Sequence, residues 1–235
     1  MDKKIYAIVT AGGSGIRMGG NIAKQFIELG GSPILLRTIE QLVNFCPDIE
    51  IILVINSEYK EFWKSYCLNN NILIRHTLVS GGITRFHSVK NAMKYIPDDA
   101  IVCIHDGVRP FINKELLNRL FEYDFLAKGY DGLIPVLPSV DSVREKIFDG
   151  SNNMVDTQVV DRDKFLFVQT PQLFGSSQLK KAYTQPFSPD FTDDASVMEK
   201  AGYKIAVCEG SRFNIKITTS EDLKIGESYL SLFNS

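Results

Sequence analysis

The 235-residue chain is poor in the residues that build metal centres and nucleophilic dyads. It has three histidines, His76, His87 and His105, and none stands at metal-ligand spacing from another. Its four cysteines, Cys46, Cys67, Cys103 and Cys208, form no CxxC pair. Three of them lie in or beside apolar runs, which predicts buried, reduced thiols in a reducing compartment. No segment approaches the roughly 20 apolar residues of a membrane helix. The opening "MDKKIYAIVTAGG" has an apolar stretch too short for a secretion signal, and glycines interrupt it. The expectation is a cytoplasmic protein that does not engage a membrane. The net charge of −2 does not suit nucleic acid as the main partner, so any functional cations must act locally.

What is present is a core-forming chain, 44% hydrophobic and 23% charged, long enough for one domain over residues 1–235. Short apolar runs alternate with helical patterns. "KIYAIVT", "IEIILVIN", "NILIRHTLV", "AIVCIHD" and "GLIPVL" read as strands. "PILLRTIEQLVNF", "EYKEFWKSYCLNN", "RFHSVKNAMKYI" and "KELLNRLFEYDF" read as helices. Continuous apolar strands separated by helices predict an α/β fold, a Rossmann-like and mostly parallel sheet with helices on both faces. Ligands in such folds bind beyond the carboxyl ends of the strands, which puts "TAGGSG", "SGGITR" and "HDGVRPF" along one rim. After Pro138 the pattern changes to short alternating runs around "DGSNN", read as a hairpin-like excursion at about 139–161. Helices near Ser177–Tyr183 and Asp194–Ala201 follow, then strands in "YKIAVCEG" and "NIKITT".

The first rim segment, "AIVTAGGSGIRMGGNIAKQF", places five glycines, Arg17 and Lys24 directly after a buried strand. A P-loop needs Gly and Lys adjacent with Ser or Thr next, and Lys24 lies between Ala23 and Gln25. A dinucleotide fingerprint needs a third glycine where Met18 stands, and an acid where the second strand ends in Asn56. A third arrangement fits: backbone N–H groups and two cations placed around a triphosphate. The plainer alternative is a glycine-rich turn with a solvated arginine and lysine. Asp106 ends a buried strand on the same rim, where a lone carboxylate suits Mg²⁺, an ion that takes one or two carboxylates plus phosphate oxygens and water. The plainer role for Asp106 is to cap the turn before Pro110.

"AGGSGIRM" with "KQF", followed in order by "GGITRFHSVKNA", "HDGVRPF", "VQTPQLF", "TDDAS" and "NIKITT", resembles the 2-C-methyl-D-erythritol 4-phosphate cytidylyltransferase family of the non-mevalonate isoprenoid pathway. The resemblance runs from about Ile5 to Tyr229. It implies attack by a phosphate monoester oxygen on the α-phosphorus of CTP, with pyrophosphate leaving. Such a nucleophile is already an anion, so no general base is required, and the barrier is set by repulsion and growing phosphoryl charge. The resemblance assigns Arg17 and Lys24 to transition-state stabilisation. It assigns Ala11, Gly12, Gly13, Ser14 and Gly15 to CTP, with Gly82 and Ser88 reading the base and Asp106 near the phosphates and Mg²⁺. Arg162, Thr170 and Lys216 are expected to hold the methylerythritol phosphate. Arg109 either pairs with Asp106 or reaches that phosphate. The excursion is implied to be a β-arm that embraces a second subunit, which makes a homodimer and carries Arg162 to the neighbouring site.

Three positions depart from the family pattern: Ala23 replaces a usual Pro, Ile83 a frequent Asp, and Ser142 a frequent phosphate-binding Thr. Two other functions stay open on the sequence. One is a cytidylyltransferase for another alditol phosphate, such as ribitol 5-phosphate. The other is a nucleotide-binding regulatory module without catalysis.

Overall fold

The computed structural model describes residues 3–13 and 23–233. Its centre is an eight-stranded mixed sheet. Four strands form its parallel half: β1 (Lys4–Ala11), β4 (Glu50–Ile55), β5 (His76–Ser80) and β6 (Ala100–Asp106), in the spatial order β6-β1-β4-β5. A tiny hairpin, β2 (Glu28–Leu29) with β3 (Ser32–Pro33), precedes the first helix. All seven residues of β6 are buried, as a strand covered on both faces requires.

The two faces have separate cores. Ala7 and Val9 of β1 and Ile101 and Cys103 of β6 pack on one side. There they meet Leu35 and Ile39 of α1 (Ile34–Phe45), Trp63 of α2 (Lys60–Asn69) and Leu116 and Leu120 of α4 (Lys114–Glu122). Ile8, Val102 and Ile104 point the other way. They pack on Phe86 and Val89 of α3 (Arg85–Ala92), Leu179 of α5 (Ser176–Ala182) and Met198 of α6 (Asp194–Lys200). The two-residue alternation of a strand thus feeds both helical layers. Each fully buried Leu, Ile or Val contributes about 1.5–3 kcal/mol before ordering costs.

The later chain extends this sheet in mixed directions. β7 (Gly132–Pro138) pairs antiparallel with β10 (Leu166–Val168) and β11 (Gln172–Gly175), and parallel with β12 (Ile205–Glu209). β11 also runs antiparallel beside β6. Beyond the excursion, "FLFVQTPQLF" returns to the main sheet as β10 and β11. The excursion itself is a two-stranded hairpin, β8 (Arg144–Phe148) with β9 (Met154–Val159), turning through Asp149–Asn153. "NIKITT", expected as a strand, joins no sheet. It is an extended connection in which Ile217 is buried against Leu29, Ile34 and Phe111, below α7 (Ser220–Phe233).

Candidate functional site

The carboxyl ends of β1, β4, β5 and β6 open on one rim, as parallel topology dictates. A cavity of about 510 Å³ lies there, lined by Ala11, Gly12, Gly13, Lys24, Gly82, Ser88, Asp106 and Lys216 among others. A second cavity, of about 480 Å³, adjoins it and takes in Arg109, Gln169, Thr170, Gln172 and Asp193. Arg85, Asp106 and Lys216 line both, so these three side chains form the wall between the cavities.

Local structure explains why each group stands where it does. Ala23 and Phe26 are buried, and the Phe26 N–H donates to the Ala23 carbonyl at 2.9 Å, closing a single 3-10 turn that begins at Lys24. Buried Gln25 donates from Nε2 to the Ala11 carbonyl at 2.9 Å and fastens this turn to the end of β1. Phe26 is wedged among Tyr59, Phe62 and Trp63. The departure at Ala23 therefore leaves Lys24 anchored on both sides and facing the first cavity. On the opposite wall the Ser88 hydroxyl accepts from the Gly82 N–H at 2.9 Å and donates to the Thr84 carbonyl at 3.0 Å. A Cβ on Gly82 would sit 2.9 Å from the His87 backbone, so only glycine permits this approach. Ile83 is 96% exposed at the mouth of the same cavity.

Asp106 is the electrostatic centre. Lys216 Nζ lies 3.0 Å from its Oδ2, Arg109 Nε 3.2 Å from the same oxygen, and Arg85 Nε 3.6 Å from Oδ1. Burial alone would raise this carboxyl, but the three cations overcome it and hold Asp106 well below the usual carboxylate range. Arg85 is itself clamped from behind. Its Nη2 donates to Asp194 Oδ2 at 2.6 Å, and the other oxygen of Asp194 accepts from the Tyr183 hydroxyl at 2.6 Å. Among the described residues of the first cavity, Lys24, Arg85 and Lys216 face a single carboxylate, Asp106, which leaves positive charge for an anion entering there. In the second, Arg85, Arg109 and Lys216 gather at the wall with Asp106, while Asp193 and Glu199 also line the cavity.

Thr170 is brought to the same place, but its hydroxyl is engaged inward. It accepts from the Asp106 N–H at 3.0 Å and lies 2.8 Å from His105 Nδ1. Burial pushes His105 down to about 4, so the ring is neutral. Arg162 and Ser142 are exposed near the hairpin and are not among the described residues lining the two cavities. The Arg162 guanidinium donates to the Val140 carbonyl. Ser14, Gly15 and Arg17 lie outside the described residues. Among the described residues no three His, Cys, Asp or Glu side chains form a metal cluster. Sequence reasoning gave no role to Arg85, Asp194, Tyr183 or His105. Arg85 and Asp194 sit in quoted motifs, "GGITR" and "TDDAS", but 109 residues separate them, and only the fold pairs them.

A parallel sheet whose strand ends open on a cleft of fixed cations is the architecture of an α/β nucleotide-binding protein that handles phosphates. The model of the 2-C-methyl-D-erythritol 4-phosphate cytidylyltransferase family matches residues 5–232, and the chain belongs to that family. A curated 2-C-methyl-D-erythritol 4-phosphate cytidylyltransferase from Bacteroides fragilis is 43% identical over 224 residues, which is 95% of this chain and 98% of that protein. The crystal structure of 4-diphosphocytidyl-2C-methyl-D-erythritol synthase from Anaerococcus prevotii superposes with a TM-score of 0.76 at 31% identity, covering 97% of this chain and 96% of that one. The 2-C-methyl-D-erythritol 4-phosphate cytidylyltransferase of Francisella tularensis gives 0.75 at 30% identity, over 96% and 99% of the two chains.

Proposed function

We propose that this chain transfers CMP from CTP to 2-C-methyl-D-erythritol 4-phosphate and releases pyrophosphate, working as one catalytic unit in the cytoplasm. The observation that carries this reading is the wall of Arg85, Asp106 and Lys216 shared by two adjoining cavities. One cavity suits the nucleotide and the other the acceptor, and the reacting phosphates meet at the wall. In the first, backbone groups of Ala11–Gly13, continued by Ser14 and Gly15, and the Gly82–Ser88 segment hold CTP. In the second, Arg109 and Lys216 grip the acceptor phosphate.

The acceptor phosphate is the nucleophile and needs no base. Bringing two anions together is the difficulty, and cations held in place by the fold stabilise the charge that grows on the α-phosphoryl oxygens. Lys24 and Arg17 act there, Lys24 from the turn fixed by Gln25. Neutral His105 does not compete as a base, because its ring is wholly buried.

The residues fit a Mg²⁺ ion of limited protein ligation. Asp106 Oδ2 receives both Arg109 and Lys216, whereas among the described residues the cation nearest Oδ1 is Arg85 at 3.6 Å. Oδ1 is therefore the oxygen suited to hold the ion, with triphosphate and water completing its shell. The ion would supply charge neutralisation and orientation of the phosphates.

The hairpin supports a homodimer. Phe148, Met154, Val155 and Val159 are each more than half exposed on it, and an isolated two-stranded ribbon is marginal in water. A two-fold mate would cover these side chains and receive Arg162 and Ser142 at its acceptor cavity.

The test is a substrate panel. Purified protein with CTP and Mg²⁺ is given 2-C-methyl-D-erythritol 4-phosphate, ribitol 5-phosphate and erythritol 4-phosphate, and pyrophosphate release is followed. A preference for the methyl-branched tetritol phosphate is expected. Preference for ribitol 5-phosphate, or no release with any acceptor, overturns the reading.

A further inference from the structure

We propose that His105, which faces neither cavity, is a positioning residue for the transfer: one imidazole fixes both ends of the Asp106–Arg109 turn and thereby the carboxylate and guanidinium that meet the phosphates. The inference rests on the function proposed above. It begins with the proton positions on the ring. His105 is fully buried, and its Nε2 lies 3.2 Å from the Arg109 carbonyl oxygen. A carbonyl oxygen only accepts, so Nε2 carries the proton and donates. Nδ1 faces Thr170 Oγ1 at 2.8 Å, and a fully buried ring hydrogen-bonded to a carbonyl and a hydroxyl, with no carboxylate on either nitrogen, carries a single proton, so Nδ1 is an acceptor. That oxygen already accepts the Asp106 N–H at 3.0 Å, so its own proton is the one given to Nδ1.

The result is a directed relay: Asp106 N–H to Thr170 Oγ1, Thr170 O–H to His105 Nδ1, and His105 Nε2–H to the Arg109 carbonyl. The turn between its ends is closed by the Arg109 N–H on the Asp106 carbonyl at 3.1 Å. The opposite tautomer would leave Nε2 and the Arg109 carbonyl oxygen facing each other as two acceptors. Asn214, also buried, ties the remaining charged segment to the same bracket. Its Nδ2 donates to the Thr170 carbonyl at 2.7 Å, and its carbonyl accepts from Arg109 Nη1 at 2.8 Å, two residues before Lys216. Asp106, Arg109 and Lys216 thus take their places from one buried polar network, and such a network acts as a unit.

A consequence concerns Thr170. With its proton committed to His105, the hydroxyl has none to donate to a substrate phosphate. Thr170 serves the acceptor cavity by bracing Asp106 and not by gripping the ligand.

The first test is ¹⁵N imidazole NMR of the full, ligand-free wild-type protein, which reads the tautomer without any turnover. His105 with Nε2 protonated and Nδ1 bare is expected; the reverse tautomer or an imidazolium at neutral pH overturns the proposal. The second test compares His105→Phe, Thr170→Val, the double variant and Thr170→Ser, each checked for folding by circular dichroism. Each of the first two should lose about 10–100-fold in kcat/KM, the range typical of residues that orient functional ligands. The double variant should be no slower than the worse single one, and Thr170→Ser should recover most of the Thr170→Val loss. Losses that multiply, or wild-type rates in Thr170→Val, overturn it. Calorimetric affinity for pyrophosphate, measured on the same proteins, should fall in step with the relay. The tautomer and this affinity report on the bracket whichever polyol phosphate is the acceptor, so failure of the bracket is distinguishable from failure of the assigned substrate.

Discussion

Replacing Asp106 by Asn removes one charge and almost no volume at the point where three cations converge. The backbone N–H that Thr170 holds is retained. Breaking a buried ion pair by removing one partner costs about 3–5 kcal/mol. Here the Lys216 and Arg85 side chains are 42% and 30% exposed, so solvent screens part of the repulsion that is left. A loss of about 2 kcal/mol is a fair expectation. At this chain length that corresponds to a melting temperature lower by roughly 4–8 °C. The same variant should bind pyrophosphate more tightly, because an anion among Arg85, Arg109 and Lys216 replaces the missing carboxylate. Recovery of the full 2 kcal/mol would amount to about 30-fold in affinity. Melting curves with and without saturating metal-free pyrophosphate read both effects. The ligand should raise the variant's melting temperature more than the wild type's and close most of the gap. Equal shifts in the two proteins, or a variant as stable as wild type without ligand, would refute the placement of Asp106 as the counter-charge of an anion site.

Three further outcomes follow from the same geometry. Lys24→Ala should lower kcat by about 10²–10³ with little change in CTP affinity, since a cation matched to developing charge acts in the transition state; steady-state kinetics with a nucleotide titration decide it. Removing divalent metal with a chelator should abolish turnover and leave the melting temperature unchanged, because the ion is held chiefly by the nucleotide. Lys24→Ala and Arg162→Ala, each inactive alone, should regain about a quarter of wild-type activity when mixed and allowed to exchange subunits, because one site of each mixed dimer carries neither defect. No regain with exchange demonstrated would put both residues in one chain's site.

The parallel half of the sheet was legible chiefly from its inner strands, β4 and β6, which are buried on both faces and read as unbroken apolar runs, "IEIILVIN" and "AIVCIHD"; β5, at the edge, is largely half-buried. The rim followed from topology, which put "TAGGSG", "SGGITR" and "HDGVRPF" together; Lys216 came only from the family resemblance, and it lines one cavity with Lys24, Gly82, Ser88 and Asp106. Direction within the sheet was not legible beyond Pro138. "FLFV" and "MVDTQV" have similar short β-rich patterns, yet one adds to the main sheet and the other to the hairpin. "NIKITT" alternates because Ile215 and Ile217 pack toward α7 while Lys216 lines the cavities, and not because it pairs in a ladder. The inner supports of the site were hidden for a different reason. Arg85 with Asp194, Thr170 with His105, and Arg109 with Asn214 are each pairs 65 to 109 residues apart, and no local pattern marks them.

The central claim is that fixed cations assist direct displacement, with no group of the protein bonded to the nucleotide on the way. The stereochemical course at phosphorus tests it most directly. CTP made chiral at the α-phosphorus by sulfur substitution is turned over with 2-C-methyl-D-erythritol 4-phosphate, and the configuration of the product is determined. A single in-line attack predicts inversion. Retention would mean two displacements through an enzyme-bound nucleotidyl group and would contradict the account.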